Sequence, residues 1–342
     1  MKNKPLVSVC IPMYNATAYI KETLDSLINQ TYENIEVIIV DDGSTDNSVK
    51  IVESITDSRI KLYRNNKNMG LPYTRNKTLE LAKGKYIALI DADDIAEYER
   101  IELQVEFMEK NFECGVLSSY ANPFGNISLL RKIRIKMLFN KNLSDKEIKS
   151  KLLFSNVICN PSAMIRKCVL DDNNIKYRKE YTNSQDYGLW IDLINKTKFC
   201  VLRKKLVNYR FGHENISKNT SNKKYDIHCK LSKQIFENIG YLNYTENECE
   251  ILAKIYLKRV DIFRKSLEEI DTFLYNFKKF IINSNFYYKD ELLVEIERQR
   301  YYFSLYYKHN KSYKNINLKY TERVSIYLKV RIKQILQKLR IV

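Results

Sequence analysis

The fold prediction starts from Tyr86–Ile95, which reads Tyr-Ile-Ala-Leu-Ile-Asp-Ala-Asp-Asp-Ile. Its first half is an unbroken apolar run, as expected of a strand that is covered on both faces of a parallel sheet. The run ends in three acids, Asp91, Asp93 and Asp94. Because open α/β sheets bind ligands beyond the carboxyl ends of their strands, these acids predict a ligand site there.

Two interpretations of the three acids remain open at this point. Neighbouring carboxylates repel one another unless a cation neutralises them. Carboxylates together with substrate phosphates are ligands that Mg²⁺ and Mn²⁺ prefer, which favours a metal and a diphosphate at Asp91 and Asp93. The alternative is a polar turn from strand to helix in which Asp94 caps the helix.

The sequence before this stretch alternates predicted strands and helices. The strands are Leu6–Ile11, which we expect Pro12 to end, Ile35–Val40 and Ile60–Tyr63. Between them, apolar residues recur at helical spacing. The alternation predicts an α/β fold with a mostly parallel sheet flanked by helices, whose polar loops meet at one edge.

The remainder of the chain is less regular. Gly115–Tyr120 is a predicted strand, residues 122–142 are basic and without clear periodicity, and Gln185–Ile194 is a predicted helix. Later in the chain, Gly becomes scarce, Pro disappears and helical spacing persists. We therefore divide the sequence into a domain of residues 1–217 and a helical, basic C-terminal extension, 218–342.

The composition of the chain indicates where in the cell we expect the protein. The 342 residues carry a net charge of +17, and residues 298–342 hold twelve Lys and Arg against one acid, Glu322. Charge concentrated in one tail predicts a surface partner for that tail. The seven cysteines form no CxxC pair and no apolar run approaches about 18 residues, so we expect a cytoplasmic protein without a signal peptide or spanning helix.

The sequence lacks the motifs of several common enzyme classes. The sequence has no G-x-x-x-x-G-K-[ST] loop, no G-x-G-x-x-G after the first strand and no G-x-S-x-G elbow. What remains is acids at strand ends. Asp91 and Asp93 suit a metal with a diphosphate, and Asp42, with Tyr14 nearby for stacking, suits a nucleobase.

The order of several short motifs is more specific than any one of them. They are Val9–Asn15, Val40–Asp46, Asn68–Gly70 with Arg75 and Asn76, Asp91–Asp94, Pro161–Arg166, Gln185–Asp186, and Arg210 with His213. With these motifs, the part from about Leu6 to Ser217 resembles the inverting, metal-dependent family 2 glycosyltransferases of bacterial surface-polysaccharide synthesis. The resemblance implies a GT-A, Rossmann-like domain in which residues 1–100 bind the nucleotide sugar and 101–217 hold the acceptor.

The resemblance also implies roles for individual residues. Asp186 matches the catalytic base, and Asp42 would hydrogen-bond the nucleotide base, for which the resemblance implies uracil. Asp93 is the implied principal ligand of Mn²⁺ or Mg²⁺, with Asp91 and His213 as further ligands. The implied nucleotide-sugar pocket consists of Pro12, Tyr14, Asn15, Asp42, Arg75 and Asp91.

The implied reaction moves a sugar from a UDP-sugar to a hydroxyl of a glycan or lipid-linked acceptor, with inversion at the anomeric carbon. A peripheral position on the inner face of the cell membrane would suit such an acceptor. Relatives often have Glu at the position of Gln185; the loss of that adjacent negative charge should lower the pKa of Asp186 relative to theirs, so we expect Asp186 to be ionised. Relatives also often have His at Asn160, a difference that bears on contacts to the acceptor.

Rival functions have weaker support. A sugar-1-phosphate nucleotidyltransferase would carry a Gly-rich, basic loop after the first strand, where this chain has Pro12–Asn15. A non-catalytic, transferase-like scaffold at a membrane would not need Asp91, Asp93 and Asp186 together. A nucleic-acid partner is not expected, because positive charge and stacking aromatics do not alternate across one fold.

The tail generates a prediction of its own. Between residues 321 and 342, apolar residues at helical spacing form one face with cationic flanks, which fits peripheral binding to an anionic membrane. The alternative is a helix that docks on the protein's own helical extension, which would also bury the apolar face. We expect the full-length protein to float with phosphatidylglycerol liposomes more strongly than a version ending at Tyr320. Equal flotation of both forms would remove the tail from membrane binding.

Overall fold

The computed structural model describes residues 4–212, 221–257 and 267–307, together with Ile326. Within it, the chain forms two compact units. The first comprises residues 1–145 and 156–227, and the second 146–155 and 228–342. His213 and, apart from Ile326, the predicted tail helix lie outside the described residues.

The first unit is built on a mixed sheet whose eight strands lie in the order β3-β2-β1-β4-β7-β6-β8-β5. The strands are β1 Val7–Met13, β2 Ile35–Asp41, β3 Ile60–Arg64, β4 Tyr86–Leu89, β5 Ile95–Ala96, β6 Cys114–Gly125, β7 Met164–Arg166 and β8 Lys198–Phe211. The strands β1 to β4 are parallel, β7 runs antiparallel to β4 and β6, and β6 and β8 are parallel. The predicted α/β fold is confirmed.

Helices cover this sheet. The described helices up to residue 193 are α1 Ile20–Ile28, α2 Ser48–Glu53, α3 Leu71–Leu81, α4 Arg100–Lys110, α5 Leu129–Phe139, α6 Asp145–Leu152, α7 Lys167–Asp172 and α8 Gln185–Leu193. Side chains of β1, β2 and β4 form the core with the buried faces of α1 and α4. Every residue of β2 and β4 is buried, which explains the uninterrupted apolar sequence of β4 and the apolar run Val37–Val40 of β2.

The first strand is longer than predicted, because Pro12 lies inside it. In a parallel sheet, alternate residues bond to opposite neighbours. Met13 O accepts from Asp42 N on the β2 side, and Cys10 O accepts from Ile90 N on the β4 side. The nitrogen of Pro12 therefore faces β4, where pairing has already ended at Cys10. The missing N–H leaves no ladder bond unmade.

The part predicted to be irregular, residues 122–142, is largely regular. The strand β6 continues to Gly125, and α5 follows after Ser128, whose Oγ accepts from Arg131 N. The sequence does not predict this helix, because its apolar residues lie on more than one face and so give no clear amphipathic periodicity. Further along, β8 is a single strand of 14 residues.

The second unit is helical. Besides most of α6 it contains α10 Glu246–Leu257, α11 Leu267–Ile282, α12 Lys289–Tyr307 and the greater part of α9 Ser221–Asn238. Its core is aromatic: the Phe273 and Phe277 rings stack at 5.6 Å between centroids, and Phe154 meets Phe277 edge-on. Lys151 from α6 forms a 2.7 Å ion pair with the buried Glu295 of α12. None of the described helices is long and apolar enough to cross a membrane.

A buried carboxylate, that of Glu36, links three neighbouring strands of the sheet. Glu36 of β2 accepts from Ser8 Oγ of β1 at 2.6 Å, from Lys61 Nζ of β3 at 2.6 Å and from Lys83 N at 2.8 Å. Burial opposes its ionisation, but the bonds from Lys61, Ser8 and Lys83 outweigh burial, so the pKa of Glu36 lies below 4.5. The charge therefore stabilises the fold at neutral pH.

We predict that Glu36→Gln lowers the free energy of unfolding at pH 7 by about 1–3 kcal/mol, because a buried charged acceptor is replaced by a neutral amide. Since the folded-state pKa is depressed, the advantage of the native protein is present above pH 4.5 and shrinks as the pH falls below it. Urea unfolding at pH 7 and near pH 4 measures this. Glu53→Gln, at an exposed position, is the matched control. A stability difference independent of pH would contradict the role of the charge.

Candidate active site

The carboxyl ends of β2, β1 and β4 meet at one edge of the sheet, and the predicted site residues follow them. The register aligns Met13 with Asp41, while Asp91 follows β4. Parallel strands bring their following loops together in this way, as the sequence predicted.

Asp42 lies buried directly after β2. Its Oδ1 accepts from Asn65 Nδ2 at 2.8 Å and from Met69 N at 2.9 Å, and its Oδ2 accepts from Gly70 N at 2.9 Å. The carboxylate thus fixes the turn at Gly70, whose φ of 89° favours glycine, just before α3. Oδ2 accepts only one of these bonds and retains a lone pair, so the predicted contact with a nucleotide base is compatible with this arrangement.

The loop after β1 is locked to the loop after β2. Asn15, at a φ of 48°, donates its N–H to Ser44 Oγ and accepts from Thr45 N through its side chain, both at 2.9 Å. Tyr14, the preceding residue, is 49% exposed, and Pro12 lines a small pocket with Arg75 and Asp91. Asn15 thereby holds an exposed aromatic ring beside the strand ends.

A buried ion pair lies at the centre of the edge. Arg75 of α3 donates from Nη2 to Asp91 Oδ1 at 2.6 Å, and its guanidinium carbon lies 5.5 Å from the centre of the Tyr177 ring. The Arg75 side chain is 7% exposed and that of Asp91 is 30% exposed. Burial opposes the charge of Arg75, but Asp91 and Asp186 are among the groups that raise its pKa, so it stays cationic.

Asp93 and Asp94 are tied to the end of β8. Arg210 donates from N to Asp94 Oδ1 at 2.8 Å and from Nε to the Asp93 carbonyl at 2.7 Å. Asp94 does not cap a helix: β5 follows it, and α4 begins at Arg100. Burial, and then the charges of Asp93 and Asp91, raise the pKa of Asp94 well above 3.8. Its Oδ2 has no hydrogen-bond partner among the described residues.

Asp186 lies in the first turn of α8. Burial raises the pKa of its carboxyl above 3.8; Arg75 opposes this shift and Asp91 adds to it. The net shift is upward although Gln185 adds no negative charge, because desolvation of the carboxylate dominates. Asn156 donates from Nδ2 to Asp186 Oδ2 at 2.9 Å and fixes the carboxylate.

Two contributors carried no signal in the sequence. Asn156 and Tyr177 lie in segments without a recognisable motif, and only the fold brings them to Asp186 and Arg75. Asn76 positions Tyr177 by bonding both its N–H and its carbonyl at 2.8 Å. Asn160 is buried in the same small pocket as Arg75 and Asp91, and its amide has no partner among the described residues.

The site therefore combines two chemical capacities. The edge near Asp91 and Asp93 offers carboxylate oxygens beside the cations Arg75 and Arg210, which suits a phosphate ester with its counter-ion. Asp186 offers a partly buried carboxylate with a raised pKa, which suits proton transfer. The same guanidinium, that of Arg75, acts on both Asp91 and Asp186.

Sequence comparison connects the chain to known proteins. Residues 8–173 match Glycosyl transferase family 2. Over 283 residues the chain is 33% identical to an uncharacterized glycosyltransferase of Haemophilus influenzae, an alignment that covers 80% of this chain and 86% of the relative. It is also 36% identical over 193 residues to the Escherichia coli UDP-Glc:alpha-D-GlcNAc-diphosphoundecaprenol beta-1,3-glucosyltransferase WfaP, covering 56% of this chain and 71% of that one.

Solved structures share the fold. S. aureus TarS 1–349 in complex with UDP-GlcNAc superposes with a TM-score of 0.61 at 19% identity, covering 95% of this chain and 90% of TarS. The mannosyltransferase PcManGT of Pyrobaculum calidifontis, in complex with GDP-Man and Mn²⁺, gives a TM-score of 0.51 at 15% identity, covering 98% and 89%. The predicted GT-A architecture is confirmed, and the chain belongs to the family 2 glycosyltransferases.

Proposed function

We propose that this glycosyltransferase moves a hexosyl or N-acetylhexosaminyl group from a UDP-sugar to a hydroxyl of a glycan or lipid-linked acceptor, with inversion. The observation that carries the proposal is the pairing of Arg75 with Asp91 while Arg75 also acts on Asp186. One buried cation thus joins a phosphate-binding edge to a candidate base.

The donor pocket rests on the strand ends. Tyr14 presents an exposed ring for stacking on a base, and Asp42 has acceptor capacity left for the uracil N–H. Support for uridine comes from relatives: WfaP is named for UDP-Glc, and TarS was solved with UDP-GlcNAc. Pro12, Asn15 and Arg75 complete the proposed pocket.

A divalent cation fits the acidic edge. Among the described residues, no group of three His, Cys, Asp or Glu side chains could hold a metal ion. One or two carboxylates, Asp93 and Asp91, would therefore hold Mn²⁺ or Mg²⁺, with His213 as a further candidate, and donor phosphates would complete the coordination. When bound, the cation supplies positive charge to the departing diphosphate.

Asp186 performs the proton transfer in this proposal. Its carboxylate takes the proton of the acceptor hydroxyl while the hydroxyl oxygen bonds to the anomeric carbon and the bond from that carbon to the diphosphate oxygen breaks. A single displacement inverts the anomeric centre, so an α-linked donor gives a β-glycoside. Asn156 holds the Asp186 carboxylate in place. Because burial raises the pKa of Asp186, this carboxylate is a stronger base than an exposed aspartate.

The acceptor class follows from the relatives. WfaP and the E. coli enzyme WfgD, 28% identical over 218 residues (63% of this chain and 80% of WfgD), are named for an undecaprenol-linked acceptor. A lipid-linked acceptor and a role in surface polysaccharide synthesis are accordingly proposed for this chain too, at the inner face of the cell membrane. The test is to incubate the protein with Mn²⁺, an acceptor mixture and a panel of nucleotide sugars and to measure nucleoside diphosphate release. Absence of release from every donor would overturn the proposal.

We predict that Asp93→Ala abolishes the metal-dependent part of nucleotide binding, because the proposed site has few protein ligands. Calorimetric titration of UDP with and without Mn²⁺ measures this, and Asp172→Ala, on the exposed end of α7, is the control. If Mn²⁺ tightened UDP binding equally in Asp93→Ala and the native protein, Asp93 would not be a metal ligand.

We predict that Asp186→Asn retains UDP binding but lowers the transfer rate by on the order of 10²–10⁴, the usual contribution of a general base. Since burial raises the pKa of Asp186, transfer by the native protein should fall as the pH drops towards that pKa, at a pH above 3.8. Steady-state kinetics across pH measure both effects, with Asp172→Asn as the matched control. Near-native turnover of Asp186→Asn would refute the role.

A further inference from the structure

The helix α5 presents an unusual surface. None of its eleven residues, all of them described, is buried. Leu129 is 72% exposed, while Leu130, Ile133 and Met137 are 45–46% exposed. A helix whose apolar side chains face solvent has an unused hydrophobic surface.

These exposed side chains form a single face. Successive residues of a helix are about 100° apart, so Leu129, Ile133 and Met137 follow one another along one stripe, with Leu130 beside it. Ile135, Leu138 and Phe139, which are half-buried, point to the other side. The exposed stripe is thus separate from the face that packs on the protein.

The charges of α5 match one kind of partner. The helix carries Arg131, Lys132, Arg134 and Lys136 and no acid. On the helical wheel, Arg134 flanks the exposed stripe on one side and Lys136 and Lys132 flank it on the other. An apolar stripe between two cationic edges is complementary to an interface of acyl chains and anionic headgroups.

The position of α5 adds to this argument. It follows β6, whose Phe124 and Gly125 pair with Arg210 and Phe211 of β8. Arg210 is the residue that bonds Asp93 and Asp94, and Arg131 of α5 lies over the Phe211 ring at 5.3 Å. The exposed stripe therefore belongs to the same end of the sheet as the candidate active site.

We propose that α5 is a membrane-binding helix that inserts Leu129, Leu130, Ile133 and Met137 into the interface of an anionic bilayer. This contact is independent of residues 321–342 and of the proposed reaction. If the proposed function holds, the same contact brings a lipid-linked acceptor next to Asp93 and Asp186.

The first experiment measures binding of the full-length protein to phosphatidylcholine vesicles with and without phosphatidylglycerol. Leu129→Ser/Ile133→Ser/Met137→Ser should lower the affinity for anionic vesicles at least about tenfold, through the lost apolar burial. Arg134→Gln/Lys136→Gln should lower it about thirtyfold, since each basic residue near an anionic surface contributes about a factor of five. Lys50→Gln/Lys110→Gln, at exposed positions outside α5, is the matched control.

The second experiment locates the contact and does not depend on the folding of the multiple variants. Trp190 is the one tryptophan of the sequence, and it is fully buried. Quenching by lipid should therefore report on an introduced, exposed tryptophan and not on Trp190. Emission from Leu130→Trp should be quenched by brominated acyl chains in phosphatidylglycerol vesicles. Emission from Phe112→Trp should not, because Phe112 is exposed at the opposite end of β6.

Two outcomes would overturn the proposal. One is unchanged vesicle affinity of both multiple variants together with no quenching at position 130. The other is a concentration-dependent dimer in sedimentation that Leu129→Ser/Ile133→Ser/Met137→Ser abolishes, which would assign the stripe to a second copy of this chain. Three results together would support it: the native protein binds anionic vesicles, both multiple variants lose this binding, and the emission at position 130 is quenched.

Discussion

The mutual repulsion of four carboxylates governs the acidic edge of the sheet, where the candidate active site lies. Asp91, Asp93 and Asp94 follow one strand, and Asp186 is close enough to contribute to the same field. Such a cluster is stable only where cations and hydrogen-bond donors stand among the acids. Arg75 pairs with Asp91, and Arg210 donates a hydrogen bond to Asp94. Burial nevertheless raises the pKa of the Asp94 and Asp186 carboxyls. The helix α3 and the strand β8, which carry the two arginines, are placed so that they meet this requirement.

Sequence reasoning was strongest where burial is uniform. The strands β2 and β4 are covered on both faces, so their apolar runs and the acids after them could be predicted directly. It was weaker where a local rule is overridden by context. Pro12 lies inside a strand because its nitrogen faces the side where pairing has ended, and four of the apolar residues of α5 face outward, which hides the usual amphipathic signal.

For the site, the sequence indicated the acids and the arginines but not what holds them. Asn156 reaches Asp186 across 30 residues and Arg210 reaches Asp93 across 117. Contacts of this kind are set by tertiary packing, and no spacing rule within one segment predicts them. The direction of the Asp186 pKa shift illustrates the same limit, because desolvation cannot be judged from neighbouring residues in the chain.

The discontinuity of the two units has a consequence for biosynthesis. Residues 146–155 leave the ribosome in the middle of the first unit, yet their partners lie far downstream: Lys151 pairs with Glu295, 144 residues later. At about 5–20 residues per second, translation separates the two by roughly 7–30 s. During that interval the side chains of Ile148, Leu152 and Phe154, all buried in the finished protein, have emerged before the helical core exists. We therefore expect the nascent chain to need protection from aggregation at this stage.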